Sequence, residues 1–207
     1  MKPTSLTVFW FTFVLTLWIS FSGLPTRVFG TGAAEAQTQS PAQLKRMQSI
    51  ECFNQAAKVL QHPRCLNCHV PGDEPTQGMD LHAHMMNVQR GSQDHGAVAM
   101  QCAACHGTQN NVSSGVPGAP KWALAPKSMN WQKLSRGDLC RKVRGEFPKG
   151  NFSGNKTKDE FIHHSADDPL VAWGWNPGPG REPAPGTQTE FGRTIAQWID
   201  TGAECPQ

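Results

Sequence analysis

From Val8 to Phe21 almost every position is apolar (Phe9, Trp10, Phe11, Phe13, Val14, Leu15, Leu17, Trp18, Ile19), with only Lys2 charged before it. This is the form of a secretory h-region. The run is shorter than the roughly 20 residues that cross a bilayer, and Pro25 and the small-x-small tripeptide Ala34-Glu35-Ala36 follow it. We therefore expect residues 1–36 to be a cleaved signal peptide. Residues 37–207 should then form one periplasmic domain beginning at Gln37, with no stable membrane insertion after cleavage.

Later apolar positions recur at helical spacing. Ser40-Pro41-Ala42-Gln43 offers an N-cap, a proline at the first helical position and a reciprocal Gln; Met47, Ile50, Phe53, Ala57 and Leu60 then predict a helix that Pro63 ends. Ser135-Arg136-Gly137-Asp138 caps a short helix through Leu139, Cys140 and Val143, with Gly145 as its stop. Thr157-Lys158-Asp159-Glu160 reads as a capping box, placing His164 on the face of Phe161 and turning His163 aside. Thr187-Gln188-Thr189-Glu190 opens a last helix whose face is Phe191, Ile195, Trp198 and Ile199, closed at Gly202. No alternating run bounded by hairpin turns is visible, so every element is expected to be helix or loop.

Composition sharpens this picture. Twenty Gly and sixteen Pro stand among 207 residues, and charged residues make up 17%, below the average of about 25% for soluble domains. Such a chain has a modest core and much ordered loop, and needs something beyond hydrocarbon to hold it. Without the leader's Lys2, Arg27 and Glu35, the nineteen basic and sixteen acidic residues fall to a net of +2. That balance excludes nucleic acid and anionic membranes as expected partners. Attention falls on seven Cys and eight His.

Cys65-Leu66-Asn67-Cys68-His69 and Cys102-Ala103-Ala104-Cys105-His106 both match the c-type haem attachment pattern. Two cysteines three apart can form thioethers to the two vinyl groups of one porphyrin, and the adjoining histidine then reaches the iron. Two haem c groups are expected, attached at Cys65, Cys68, Cys102 and Cys105, with His69 and His106 as proximal iron ligands. A four-cysteine zinc site leaves both histidines unexplained. Its usual gap of about 15–20 residues is also shorter than the 33 residues between Cys68 and Cys102. Thioredoxin-like chemistry lacks its strand–helix alternation.

A haem that only carries electrons fills both axial positions. His84 and His95 lie in a loop with no apolar period and are the first distal candidates; His164 is the third, and Met129, in an irregular stretch, is the alternative that would raise the potential. His62 lies too near Cys65 to reach the far face of its own haem. His82 and His163 are weaker choices, and Met85, Met86 and Met100 are read as haem-contacting packing. Oxidised haems with ionised propionates add negative charge, for which Arg64, Arg90, Arg136, Arg141, Lys142 and Arg144 are candidate counter-ions. Trp122, Trp131, Trp173, Trp175 and Trp198 could face porphyrin or core. Of the other cysteines, Cys140 and Cys205 are placed to form a disulfide between the last elements, leaving Cys52 as a buried thiol on the first helix.

With both haem motifs placed, further strings become informative: His62-Pro63-Arg64-Cys65-Leu66-Asn67-Cys68-His69, Pro117-Gly118-Ala119-Pro120, Leu124-Ala125-Pro126, Leu170-Val171-Ala172-Trp173-Gly174-Trp175 and Pro183-Ala184-Pro185-Gly186-Thr187-Gln188. Across nearly all the mature chain they resemble exported dihaem cytochromes known as the cytochrome subunit of isoquinoline 1-oxidoreductase. The resemblance implies an electron outlet for a periplasmic redox enzyme, specifically a molybdenum hydroxylase, delivering to a further acceptor. A weaker likeness is to the small dihaem subunit of periplasmic nitrate reductase, although no histidine upstream of His62 matches that family's pattern. The expected fold is all-α with high coil content, short helices and loops wrapped around two covalently attached haems in the manner of a cytochrome c. The expected function is electron transfer rather than catalysis. The enzymatic alternative, a dihaem peroxidase with an open axial site, calls for widely separated motifs, and these lie 37 positions apart.

Overall fold

A computed structural model describes residues 39–145, 147, 152 and 156–207; the proposed signal peptide, 1–36, and the new terminus Gln37 lie outside them. Four capped helices carry the core. In α1 (Pro41–Leu60) the Ser40 hydroxyl accepts from the Gln43 N–H while the Gln43 side chain accepts from the Ser40 N–H. Reciprocal boxes open α4 (Lys158–Asp167) at Thr157 and Glu160, and α6 (Gln188–Asp200) at Thr187 and Glu190. Ser135 caps α3 (Arg136–Arg144), and Gly145 ends it at φ +58°. Two single-turn helices, α2 (Pro63–Leu66) and α5 (Pro169–Ala172), each begin with proline behind a side-chain cap, His62 and Asp168 respectively.

α6 packs against both α1 and α4, and α1 also meets α3. The core between them holds Phe53, Leu139, Val143, Phe161, Ile195 and Trp198, with the Phe53 and Trp198 rings 5.1 Å apart. Close approach of α6 to α4 depends on Gly192, where a Cβ would fall 2.4 Å from the Ala166 methyl. The Cys140–Cys205 disulfide ties α3 to the tail after α6. Ser49 adds a polar tie within this core: its fully buried hydroxyl donates to the Trp198 carbonyl and accepts from the Glu204 N–H.

Three details depart from the sequence reading. The buried face of α1 begins only at Ser49, so Met47 is 52% exposed and Cys52 is half-buried, because α6 and the tail cover only the later turns. Pro63 does not end α1, which stops at Leu60; it starts α2 instead. The segment between the Cys motifs is not pure loop. It forms two antiparallel pairs of two-residue strands, β1 (Thr76–Gln77) with β2 (His82–Ala83), and β3 (Gly96–Ala97) with β4 (Met100–Gln101). Strands this short leave no period to read. Helix remains the main regular structure. Among the described residues no helix is long and apolar enough to cross a membrane.

Candidate functional site

Both Cys-x-x-Cys-His segments fold into the same turn. The Cys65 carbonyl accepts from the N–H groups of Cys68 and His69 at 3.2 and 3.1 Å, and the Cys102 carbonyl accepts from Cys105 and His106 at 3.2 and 2.9 Å. One helical turn thus brings each cysteine pair and its histidine to a common side. Around the first segment, buried Asn67 donates to the Gly78 carbonyl and accepts from the Thr76 hydroxyl, while Ala125 and Trp131 N–H groups donate to the Cys68 and His69 carbonyls. Around the second, Asn110 accepts from Gly118 N–H and Trp173 Nε1 and donates to the Asn176 carbonyl.

The two motif histidines are held alike. His69 Nδ1 lies 2.7 Å from the Met129 carbonyl and His106 Nδ1 2.7 Å from the Pro117 carbonyl. A carbonyl only accepts, so each Nδ1 carries the proton and each Nε2 keeps its lone pair for a metal. Each ring also stacks on a tryptophan: His69 on Trp131 with centroids 3.3 Å apart, and His106 on Trp122 at 4.4 Å. Burial first, and then the nearby charges of His164 and Arg90, hold His69 down at about 3 against its bond to Met129. Burial likewise lowers His106. Both rings are neutral near pH 7, as metal ligation requires.

Among the remaining histidines, two share this arrangement. His84 Nδ1 donates to the Met85 carbonyl at 2.7 Å, and its ring centroid is 6.1 Å from that of His106. His164 Nδ1 lies 3.0 Å from Asp168 Oδ2, and His164 is near enough to His69 for their charges to interact. Both are half-buried. The others differ. His95 is exposed and does not border the cavity described below. His62 Nδ1 accepts from the Arg64 N–H, which fixes the opposite tautomer. His82 uses both nitrogens, on Asp80 and Gln77, and His163 faces solvent. Met129 meets the site through its carbonyl, its side chain being packed in the helical core.

A cavity of about 530 Å³ borders the second segment, walled by Cys102, Cys105, His106 and His84 together with Cys68 of the first. Its size falls within the roughly 300–1,000 Å³ of small-molecule and cofactor sites. Met85, Met86, Met100 and Trp122 supply apolar wall. The four motif cysteines are free thiols. Burial raises Cys65 to about 12, with Cys68 adding, and Cys68 to about 11, with Cys102 adding, so neither is the activated thiolate of a redox-exchange pair.

The tryptophans divide by place. Trp198 is core and Trp175 packs on Phe191, whereas Trp122 and Trp131 stack on the motif histidines and Trp173 meets Trp122 edge-on. Trp131 Nε1 is buried and meets no acceptor among the described residues. Arg90 is not a free counter-ion: it is 3% exposed and spends its guanidinium on Asp94 and the Gly72 and Ala125 carbonyls. Arg141 pairs with Asp138. Sequence reasoning missed Asn67, Asn110 and Arg181, and the carbonyls that orient the histidines. Backbone acceptors leave no residue signature, and Asn is a mostly exposed residue type, so the burial of Asn67 could not be read from the motif. No family model, curated protein or solved structure matches the chain.

Proposed function

We propose that this chain is a periplasmic electron-transfer protein carrying two haem c groups, one held by Cys65, Cys68 and His69, the other by Cys102, Cys105 and His106. The observation that carries the reading is the set of four half-buried histidines, His69, His106, His84 and His164. Each has Nδ1 occupied by an acceptor and Nε2 left for a metal. Two imidazoles sharing one metal at about 2.0 Å per bond have centroids roughly 6 Å apart, and His84 and His106 stand at 6.1 Å. On this reading His84 completes the site of His106, and His164 that of His69.

The donor set suits a tetrapyrrole in other respects. The cavity joins thiols, one tied imidazole and an apolar wall, and the orphaned Trp131 N–H beside His69 offers a donor to an acceptor on the group. When bound, haem supplies a one-electron Fe(III)/Fe(II) couple. The chain's own residues then have definite work: the cysteines anchor, the carbonyls of Met129, Pro117 and Met85 fix tautomers, Asp168 orients His164, and the tryptophans exclude water. If His84 and His164 hold the groups together with His106 and His69, the chain would leave no open position for a substrate, which favours a carrier over a peroxidase. The resemblance to the cytochrome subunit of isoquinoline 1-oxidoreductase makes a periplasmic molybdenum hydroxylase the proposed electron donor.

The test is purification from a host able to mature c-type cytochromes. Two covalent haems by intact mass, and a low-spin spectrum that does not bind carbon monoxide when reduced, are expected. Colourless protein with the mass of the bare processed chain overturns the reading, and rapid carbon monoxide binding at neutral pH moves it toward the peroxidase alternative.

A further inference from the structure

Arg64 and Arg181 both border the 530 Å³ cavity. Arg64 is only 8% exposed, and its guanidinium is positioned without being neutralised. Nε donates to the Glu182 carbonyl at 2.7 Å, one Nη2 N–H points at the Met79 sulfur at 3.4 Å, and the cation lies 5.7 Å from the Trp173 ring centroid. A guanidinium carries five N–H donors, so three of those on Arg64 meet no acceptor among the described residues. Half-buried Arg181 also uses neutral acceptors, the carbonyls of Pro177 and Gly115. Neither forms an ion pair with a described carboxylate.

Both cations border the same cavity, and their charges interact. Burial is the larger influence that disfavours charge on Arg64, Arg181 adds to it, and the Glu182 carboxylate only opposes them. Two like charges beside a partly apolar cavity, with Glu182 near but no described carboxylate within ion-pair distance of either, are stabilised when an anion joins them. Trp173 and the Glu182 carbonyl hold the Arg64 side chain, and the Pro177 and Gly115 carbonyls hold that of Arg181. Planar guanidinium forks match carboxylates in bidentate fashion.

We propose that Arg64 and Arg181 form a two-point anion subsite in the cavity wall that takes carboxylates, supplied by the propionates of the haem held at Cys102, Cys105 and His106. This rests on the dihaem reading above and goes beyond it by assigning residues to the far edge of the group. A carboxylate on a diffusible molecule would satisfy the same chemistry, so the source has to be tested.

The experiment is a redox titration of the holoprotein and of its Arg64→Gln, Arg64→Lys and Arg181→Gln variants, with haem counted by intact mass in every sample. Removing a cation beside a propionate leaves more negative charge near the iron and favours its oxidised form. One of the two waves should shift to lower potential in Arg181→Gln and further in Arg64→Gln, the other staying in place, and Arg64→Lys should recover part of the shift. If Arg64→Gln does not load haem, Arg181→Gln and Arg64→Lys decide. Unmoved waves in fully loaded variants overturn the subsite while leaving the dihaem reading intact. A wild-type potential that moves with added acetate at constant ionic strength overturns the propionate assignment, and a haem-free wild type overturns both readings.

Discussion

Asp168→Asn separates orientation of His164, the proposed ligand, from the helix cap that shares the same side chain. Asp168 Oδ2 receives His164 Nδ1 at 3.0 Å, and Oδ1 receives the Leu170 N–H at 2.8 Å, opening α5. Asparagine caps helices about as well as aspartate, so α5 should persist. What changes is the acceptor itself: an amide has one carbonyl oxygen, and with that oxygen on the Leu170 N–H its NH2 group faces His164 Nδ1–H, so the bond that orients the ring is lost. A hydrogen bond to a charged group contributes about 1.5–3 kcal/mol. The pair is about one-third exposed, 30% for His164 and 33% for Asp168, so solvent screening reduces the loss to roughly 1–2 kcal/mol. At about 1.4 kcal/mol per tenfold, His164 should hold the proposed metal roughly five- to thirtyfold less tightly. The assay is cyanide titration of the ferric holoprotein, followed by the Soret band. Asp168→Asn should bind cyanide with an apparent affinity raised by that factor, and His164→Ala should open one haem to it completely. If His164→Ala leaves the spectrum low-spin and cyanide-resistant, His164 is no ligand. If it opens the site while Asp168→Asn matches wild type, the orienting role of the carboxylate is refuted.

Three other perturbations probe the scaffold. Ser49→Ala orphans the Glu204 N–H, while the Trp198 carbonyl keeps Ala203 and Thr201 as donors; the loss should be about 1–3 kcal/mol, and an unchanged urea midpoint would contradict it. Gly192→Ala must displace Ala166, whose Cβ would be 2.4 Å from the new methyl, so a cost of about 1–3 kcal/mol and a lower thermal midpoint are expected, where a neutral result would show that α4 slides freely. Hydrogen bonds from the Thr157 N–H and hydroxyl hold the Glu160 carboxylate below its ordinary range. Its contribution to stability is therefore complete above the unfolded value of about 4.3 and disappears as pH falls through the folded one. Glu160→Gln should flatten the acid limb of stability against pH, and an identical limb would refute the linkage.

What could be read from the chain alone was whatever depends on neighbours within a few positions. Ser40, Ser135, Thr157 and Thr187 all cap where the local pattern placed them, because a cap needs only the residue three positions on. The Cys-x-x-Cys-His turns are local in the same way. The face of α1 was misjudged at Met47 because coverage by α6 and the tail is a tertiary matter, and nothing within Met47, Ile50 and Phe53 states where that coverage begins. Arg90 resembled a surface cation, but its partners come from positions 72, 94 and 125. Met129 drew attention for its sulfur, whereas its carbonyl is what reaches His69. The proposed pairing of His69 with His164 and of His106 with His84 required the third dimension, since the first two lie 95 positions apart and the second two 22.

The two proposed haem sites, alike in turn and tautomer, differ in surroundings, and on the dihaem reading that difference should set the order of their potentials. His69 lies against Trp131, with Met129 and the helical core behind it, and burial holds it strongly neutral. The second site has Cys105 exposed and a loose rim, Met85 at 68% and Met86 at 71% exposed. A drier, less polar environment disfavours the more highly charged oxidised centre and raises its potential. The His69 site should therefore be the higher of two waves and the His106 site, at the surface, the lower one through which electrons enter. Perturbing each axial position assigns the waves: His164→Ala should move the higher and His84→Ala the lower. If the assignments come out reversed, burial is not the dominant influence, and charge near the cavity, with Arg64 and Arg181 foremost, has to outweigh it.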